Sequence, residues 1–175
     1  MERLFLFYET HFWPRDASVM RGIYSWSKKR WVKALSHTLA FLGGVTGVIL
    51  FWSVLYVFFK PDIIVALSAI AGTFLFMILK RIFKRQRPFD KIPILPHGKI
   101  PDKFSFPSGH TMMATNSAFV TMFLFPFWYV YIISSIWVVL MALSRVVLGM
   151  HYPSDTIAGF ALGAVVTKGF LSMHS

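Results

Sequence analysis

The sequence predicts an all-α membrane protein, a polytopic bundle of about five transmembrane helices with an amphipathic N-terminal helix in the membrane interface. Three observations support this fold class: 56% of the 175 residues are hydrophobic, only 14% are charged, and the apolar residues are gathered in long runs. Soluble domains carry about 25% charged residues, and a helix that spans a bilayer needs roughly 20 apolar residues. A soluble, all-helical protein with a buried core is the alternative.

Five apolar runs are the candidate spans. In chain order they are Leu35–Phe59, Ile63–Leu79, Thr111–Phe125, Trp128–Leu148 and Thr156–Phe170. The third and fifth runs are short for a bilayer and would depend on neighbouring helices or interfacial flanks. Short turns at "FFKPD" and at Pro126 join the first run to the second and the third to the fourth. The glycine pairs Gly43/Gly47 and Gly159/Gly163 would let neighbouring helices approach closely.

The segments outside the spans are an N-terminal region and one long loop. Residues 1–34 are expected to form interfacial helices, because four large apolar residues near the start recur at helical spacing. These residues are Leu4, Phe5, Tyr8 and Phe12. A packed terminal helix would show the same spacing. Residues 84–107 form a basic, proline-rich connection, and a loop of this length is usually functional. We interpret residues 1–175 as one membrane-embedded domain.

Basic residues are concentrated at one end of the predicted bundle. The chain has 18 Lys and Arg residues against 7 Asp and Glu, and all but Lys60 and Lys168 fall in or near connections that share one face. The positive-inside rule would place that face in the cytoplasm, and attraction to anionic headgroups would give the same bias. Alternatively, part of this charge binds a phosphorylated substrate and is not a topology signal.

Two short motifs place ionisable residues on that face. In "KRIFKRQRP", Lys80 and Arg87 are two helical turns apart, so both side chains point the same way near the end of a helix. In "FPSGHT", Ser108 is a suitable N-cap, and Gly109 permits close approach of the backbone. His110 would then lie in the first turn of the third span.

A third motif, "SRVVLGMHYPSD", ends the fourth span and begins the fifth. Arg145 lies at the end of one helix, His151 precedes the next, and Asp155 falls in its first turn behind Pro153. Helix N-termini favour phosphate, because they offer free N–H groups and a positive potential. Nearby cations stabilise the charge that develops in phosphoryl transfer.

Two histidines can provide the remaining chemistry. The neutral imidazole of His151 can attack phosphorus and form a covalent intermediate, and Asp155 can orient the ring. His110 can protonate the leaving oxygen as a general acid. Each motif alone is weak, since a basic residue or an N-cap at a helix end usually serves capping or headgroup contact. Their shared face favours catalysis.

The three motifs together resemble the signature of the type-2 phosphatidic acid phosphatase family, which includes the vanadium haloperoxidases. Every signature position is filled, in the expected order and spacing, across residues 80–155. The matching residues are Lys80 with Arg87-Pro88, then Pro107-Ser108-Gly109-His110, then Ser144-Arg145 with His151 and Asp155. Members of the family in membranes commonly have six spans, so five would indicate a lost or shortened first span.

The resemblance implies a role for each signature residue. His151 would be the nucleophile and pass through a phosphohistidine, Asp155 would orient it, and His110 would be the general acid. The implied phosphate-binding residues are Lys80, Arg87, Ser108, Gly109 and Arg145. The resemblance implies a reaction without a metal, and we expect no cofactor. No carboxylate cluster or His-rich ligand set accompanies the motifs. The remaining histidines are interpreted as structural or interfacial: His11, His37, His97 and His174.

These observations predict an integral-membrane, metal-independent hydrolase that removes phosphate from a lipid headgroup. We rank lipid A 1-phosphate first as substrate, with undecaprenyl diphosphate and phosphatidylglycerol phosphate as alternatives. The expected partners are this lipid and the membrane, with no nucleic acid, and the chain is taken as a monomer. Bacterial relatives suggest the inner membrane, with the active site on the periplasmic face. Haloperoxidase chemistry is disfavoured because its soluble members would not carry this hydropathy. The competing class is a non-catalytic protein that clusters anionic lipids.

Overall fold

Helices make up the regular structure of the chain, as the apolar runs predict. The computed structural model describes residues 13–98, 100 and 102–173, and these contain eight α-helices, one short 3₁₀-helix (Ser25–Lys28) and no strand. The all-α prediction is confirmed. In chain order the helices are α1 (Trp13–Tyr24), α2 (Arg30–Leu42), α3 (Val45–Phe59), α4 (Ile63–Phe83), α5 (Pro88–Lys91), α6 (Gly109–Leu124), α7 (Trp128–Val147) and α8 (Pro153–Leu171).

The N-terminal region begins with α1, which packs against α7 and α8. Ala17 and Met20 are buried in a cluster with residues of α7 and the loops, while Val19 on the same helix stays exposed. Such a one-sided pattern is typical of a helix that lies on the surface of a bundle. The four apolar residues expected to form an interfacial helix, at positions 4, 5, 8 and 12, lie outside the described residues.

The spans are fewer by length and composition than the five that the sequence predicts. Among the described residues, α7 and the stretch that contains α4 are long and apolar enough to cross a membrane, and α2 with α3 qualifies as a third span if the bent pair is one unit. The first run is therefore two helices, bent by 54° at Gly43 and Gly44. Glycine is a poor helix former, which explains a break at this point.

Helices α6 and α8 differ from the other spans in what they bury. The α6 helix has 16 residues, too few for a full crossing, and small polar side chains on it are buried against its neighbours. These buried residues include Thr111, Thr115, Asn116 and Ser117. The α8 helix has 19 residues but is not apolar enough to qualify on its own. The α6 helix therefore forms the interior of the bundle, and α8 packs against it with one face.

Large apolar side chains remain exposed on the outer faces of the long helices. They include Ile70 and Phe74 on α4, Ile133 and Val139 on α7, and Val165 on α8, each more than half exposed. Soluble monomers rarely leave large apolar patches in water, whereas helices with satisfied backbone groups and apolar surfaces suit a bilayer. The chain is therefore a membrane protein, and the soluble alternative is rejected.

A glycine allows α6 and α8 to approach each other closely. A Cβ atom added to Gly163 would lie 2.7 Å from the Met112 carbonyl oxygen and 2.8 Å from Thr115 Cβ. A Cβ atom on Gly159 would likewise collide with the Ser108 carbonyl oxygen. The close approach predicted for this glycine pair is confirmed, and it holds the start of α6 beside the start of α8.

A buried asparagine links three helices in the apolar interior. Asn116 of α6 donates hydrogen bonds through Nδ2 to Ser68 Oγ of α4 at 2.9 Å and to Thr167 Oγ1 of α8 at 2.8 Å. Burying a polar group without a partner is costly, so these bonds favour one register of the three helices over others.

We expect Gly163→Ala to destabilise the protein and Gly169→Ala to leave it unaffected or slightly stabilised. Both glycines lie on α8, but a Cβ on Gly169 meets nothing within 4 Å. Overpacking a tight contact typically costs about 1–3 kcal/mol, while alanine is a better helix former than glycine. Thermal unfolding of both variants in detergent measures the difference. Equal midpoints would show that the α6–α8 contact is not tight.

Candidate active site

Four helix ends meet at one end of the bundle and carry the residues of the three motifs. Lys80 lies in the last turn of α4, Arg145 in the last turn of α7, and Asp155 in the first turn of α8. Ser108 caps α6, with its side chain accepting a hydrogen bond from Thr111 N at 3.4 Å. The backbone N–H of Ser108 donates to the Asp155 carbonyl oxygen at 2.9 Å, which joins the N-termini of α6 and α8.

His151 lies in the loop before α8 and faces the Asp155 carboxylate. Its Nδ1 is 3.6 Å from Asp155 Oδ2, longer than a hydrogen bond, and Nδ1 has no hydrogen-bond partner among the described residues. The same Oδ2 accepts the Tyr152 N–H at 2.8 Å. The structure thus brings together the predicted nucleophile and its predicted orienting group, side by side.

The environment of His151 keeps its imidazole neutral. The side chain is 2% exposed, and this burial lowers the pKa of His151 well below its usual value. The positive charges of Arg145 and Arg87 lower the His151 pKa further. A neutral ring retains a lone pair that can act as a nucleophile at physiological pH.

The three predicted phosphate-binding cations differ in what they bind. Arg145 is 4% exposed, and its Nε is buried without a hydrogen-bond partner among the described residues. Arg87 is fully buried and donates through Nη1 to the Met150 carbonyl oxygen at 2.8 Å. Lys80 and Arg87 also share a carboxylate from the long loop, that of Asp102, which the sequence analysis did not identify.

Asp102 forms ion pairs with both of these cations. Its Oδ2 is 2.5 Å from Lys80 Nζ, and its Oδ1 is 3.0 Å from Arg87 Nη2. Although burial opposes ionisation, the hydrogen bonds and charges of Lys80 and Arg87 lower the pKa of Asp102 below its usual range. The signal available in the sequence was that Asp90 and Asp102 are the two acidic residues of the basic loop 84–107.

Arg85 is the second residue that the sequence analysis missed. Its guanidinium forms an ion pair with Asp155 Oδ1, donates to Ser154 Oγ at 2.7 Å, and pairs with Asp16 of α1 at 2.6 Å. It also lies 4.2 Å from the centre of the Tyr152 ring. In the sequence, Arg85 is one of several basic residues before Arg87, and its spacing alone does not separate it from them.

Asp16 connects α1 to the start of α8. Its carboxylate accepts the Ser154 backbone N–H at 3.0 Å and the Ser154 hydroxyl at 2.5 Å, and it pairs with Arg85. A carboxylate at a helix N-terminus is stabilised by the free N–H groups there. The N-terminal region is therefore built into the site.

His110 is the second residue of α6 and lies near the break between α2 and α3. Its Nε2 would be 3.6 Å from a Cβ atom added to Gly44. It is also close enough to His151 and Arg145 to interact with them electrostatically. The predicted general acid thus lies within electrostatic range of the predicted nucleophile, and the bend of the first span brings the backbone of Gly44 next to it.

The other described histidines lie away from the catalytic residues. His97 stacks on Tyr24 with ring centres 5.6 Å apart, and its Nε2 lies 3.2 Å from Ser27 Oγ. These contacts attach the long loop to the N-terminal helices, consistent with a structural role. His37 is exposed, and His11 and His174 lie outside the described residues. No group of three His, Asp or Glu side chains arranged to hold a metal occurs within residues 13–98, 100 and 102–173.

Comparisons with known proteins agree with this arrangement. Residues 62–175 match the PAP2 superfamily model. An undecaprenyl-diphosphatase from Sulfolobus acidocaldarius is 32% identical over 116 residues, 66% of this chain and 55% of that protein. A lipid A 1-phosphatase from Rhizobium johnstonii is 41% identical over 98 residues, 50% of this chain and 37% of that protein. The chain spans about half the length of the curated relatives that it matches.

Two solved structures share the fold. The phosphatidylglycerolphosphate phosphatase from Bacillus subtilis superposes with a TM-score of 0.76 at 24% identity, covering 98% of this chain and 94% of that one. LpxE from Aquifex aeolicus gives a TM-score of 0.79 at 24% identity, covering 89% of this chain and 93% of that one. The family model covers more than half of the chain, and the three motifs lie inside the matched region. The chain therefore belongs to the PAP2 superfamily.

Proposed function

We propose that this protein is an integral-membrane lipid phosphatase that removes a phosphate group from a lipid headgroup at the bilayer surface. One observation carries the proposal: the neutral, buried imidazole of His151 lies between a carboxylate and a group of buried cations. This combination supplies a nucleophile and a charge-stabilising environment in one place. Membership of the PAP2 superfamily supports the same chemistry.

The first step transfers the phosphoryl group to the protein. His151 Nε2 attacks phosphorus, so that an N–P bond forms while the bond from phosphorus to the lipid oxygen breaks. His110 donates a proton to that leaving oxygen. Charge on the phosphoryl oxygens is stabilised by cations and by the N-terminus of α6. The groups in this role are Lys80, Arg87, Arg145, the Ser108 side chain and the Gly109 backbone.

The second step releases phosphate. A water molecule attacks phosphorus and gives a proton to His110, the N–P bond breaks, and inorganic phosphate leaves with His151 neutral again. The charge stabilisation comes from side chains already at the site, so the proposed mechanism uses no metal ion. The assay for this proposal is therefore run in chelator.

Asp155 orients His151 in this mechanism. The ring must keep its proton on Nδ1 so that Nε2 carries the lone pair, and Asp155 Oδ2 faces Nδ1 at 3.6 Å. Catalytic hydrogen bonds are often long in the free enzyme and shorten when substrate binds. Arg85 is a positioning residue, since its ion pair with Oδ1 holds the other carboxylate oxygen.

Lipid A 1-phosphate is our first candidate substrate, supported by the 41% identity to the Rhizobium johnstonii lipid A 1-phosphatase. Undecaprenyl diphosphate is the second candidate, supported by the longer match to the Sulfolobus acidocaldarius undecaprenyl-diphosphatase. A phosphatidylglycerophosphatase B from Bacillus subtilis is 37% identical over 105 residues, which keeps phosphatidylglycerol phosphate as a third. The substrates that these relatives are named after all carry a phosphate or diphosphate on a lipid, and they differ in the rest of the lipid.

The active-site end is proposed to face the periplasm in a bacterial inner membrane. The excess of Lys and Arg at this end argues for the cytoplasm only if those residues are free to act as topology signals. Three of them, Lys80, Arg87 and Arg145, are instead buried in the site, and Arg85 is partly buried there in ion pairs. The same end could also bind anionic lipids without catalysis, and the assay below separates the two classes.

We expect the detergent-purified protein to release phosphate, in chelator, from at least one of lipid A 1-phosphate, undecaprenyl diphosphate and phosphatidylglycerol phosphate. His151→Ala should reduce turnover to below about 10⁻⁴ of wild type, as removal of a nucleophile does in other enzymes. His37→Ala is the matched control, because this histidine is exposed and matches no signature position. Preference for one lipid would identify the substrate.

Three outcomes of this assay would contradict the proposal or its mechanism. If the folded protein released no phosphate from any of the lipids, a non-catalytic lipid-binding protein would be favoured. Substantial activity of a folded His151→Ala variant would exclude His151 as the nucleophile. Loss of wild-type activity in chelator, with recovery on adding a divalent cation, would overturn the metal-free mechanism.

We expect Arg85 and Asp155 to act as one unit. Asp155→Asn should lower kcat by about 10³- to 10⁴-fold, because the amide leaves the imidazole in the wrong tautomer. Arg85→Gln should lower kcat with little change in KM, and Arg85→Lys should recover part of the loss. The double variant Arg85→Gln/Asp155→Asn should be no slower than Asp155→Asn alone. Additive losses in kcat would mean that Arg85 does not act through Asp155.

We expect labelling of single cysteines to place the active-site end in the periplasm. The chain has no cysteine, so an introduced thiol is labelled without background from other cysteines of the protein. A membrane-impermeant maleimide added to intact spheroplasts should label Leu95→Cys, which lies in the long loop and is 76% exposed. It should leave Phe127→Cys, in the opposite turn between α6 and α7, unlabelled until the membrane is permeabilised. The reverse pattern would assign the site to the cytoplasm.

A further inference from the structure

The loop carboxylate of Asp102 holds two cations in the way that a phosphate group would. Each carboxylate oxygen binds a different cation, with Oδ2 on Lys80 and Oδ1 on Arg87. The non-bridging oxygens of a phosphate group are commonly bound in the same way, with one oxygen on a lysine and another on an arginine. The carboxylate therefore uses hydrogen-bond donors that the proposed mechanism assigns to substrate.

The neighbouring backbone strengthens this arrangement. Arg87 Nε donates to the Asp102 carbonyl oxygen at 2.9 Å, and Lys80 Nζ donates to the Phe104 carbonyl oxygen at 2.8 Å. Arg145, by contrast, has a buried Nε without a partner among the described residues. Two of the three proposed phosphate-binding cations thus already share one carboxylate of the chain itself.

Burial indicates which member of the pair can move. The side chains of Arg87 and Lys80 are 1% and 10% exposed, whereas that of Asp102 is 40% exposed. Asp102 also borders a cavity of about 380 Å³, together with Gln86 and Lys103. Rotation of its side chain would return the carboxylate to water, whereas the side chains of the two cations are almost wholly enclosed. The anion, and not the cations, is the replaceable partner.

The charges around the site favour replacement by a dianion. The site contains four cations (Lys80, Arg85, Arg87 and Arg145) and three carboxylates (Asp16, Asp102 and Asp155), which leaves one net positive charge when the histidines are neutral. A phosphate with two negative charges would make the cluster negative if Asp102 stayed. The cluster would be neutral if Asp102 left, and like charges at close range are costly where solvent is scarce.

We propose that Asp102 is a specificity-determining residue that competes with the substrate phosphate for Lys80 and Arg87. A group displaces it only if it carries enough charge to replace a carboxylate on both cations, as a terminal phosphate or diphosphate does. A phosphodiester, with a single negative charge, is the weaker competitor. This inference rests on the proposed function for the identity of the site, but the competition itself can be measured with inorganic phosphate alone.

The test is the affinity of the detergent-solubilised protein for inorganic phosphate, measured by titration calorimetry without any lipid substrate. Asp102→Asn and Asp102→Ala should bind phosphate about tenfold more tightly than wild type, because a competing charged hydrogen-bond acceptor is removed. Asp90→Asn is the matched control. It removes the same charge from the same loop, but Asp90 accepts a hydrogen bond from the backbone N–H of Arg87, at 3.0 Å, and among the described residues it forms no ion pair with the guanidinium.

The outcomes separate the possible roles. Unchanged or weaker phosphate binding by both folded Asp102 variants would overturn the proposal and make Asp102 a fixed residue that organises the cations. An equal gain in Asp90→Asn would also overturn it, since the effect would then be long-range charge. Tighter binding in the Asp102 variants of a protein that hydrolyses no lipid would support the competition and reject only the phosphatase function.

Discussion

The active site depends on the burial of one carboxylate, that of Asp155. This side chain is fully buried, and a buried charge without compensation costs several kcal/mol. Arg85 compensates it with an ion pair, and the Tyr152 N–H donates a hydrogen bond to the other oxygen. These contacts determine where α8 begins, and therefore where His151 lies in the loop before it. The position of the proposed nucleophile therefore depends on how the buried charge of Asp155 is compensated.

The ion pairs of Arg85, which compensate the charge of Asp155, also extend the proposed site beyond the part of the chain that matches the family. Arg85 pairs with Asp16 as well as Asp155, and Asp16 also binds both the backbone and the hydroxyl of Ser154. The matched region begins at residue 62, so Asp16 lies outside it. Helix α1 is thereby attached to the start of α8 through polar contacts, in addition to its apolar packing through Met20. A segment expected to rest on the membrane surface also completes the polar framework of the site.

The distribution of charge accounts for two features that conflicted in the sequence. The basic end of the chain suggested both a cytoplasmic face and a phosphate site. The structure places Lys80, Arg85 and Arg87 in ion pairs that leave each cation little exposed, and there they stabilise carboxylates. Burial lowers the pKa of His151, and the charges of Arg87 and Lys80 lower it further. Cations used in this way have a structural and electrostatic function of their own, so a count of basic residues overstates the topology signal. Lys80 and Arg87 are partly compensated within the protein, because they share the carboxylate of Asp102.

The sequence by itself determined the helical class, the membrane setting and the set of motif residues at one end of the bundle. These features depend on local patterns: apolar runs of sufficient length, N-caps such as Ser108, and residues spaced by whole helical turns. Only the tertiary structure decided the bend at Gly43 and Gly44, the 3.6 Å separation of His151 from Asp155, and the roles of Arg85 and Asp102. Arg85 and Asp155 are 70 residues apart in the chain, and Asp16 and Ser154 are 138 apart. No local pattern encodes such pairs, because they form only when helix packing brings buried charges within reach of each other.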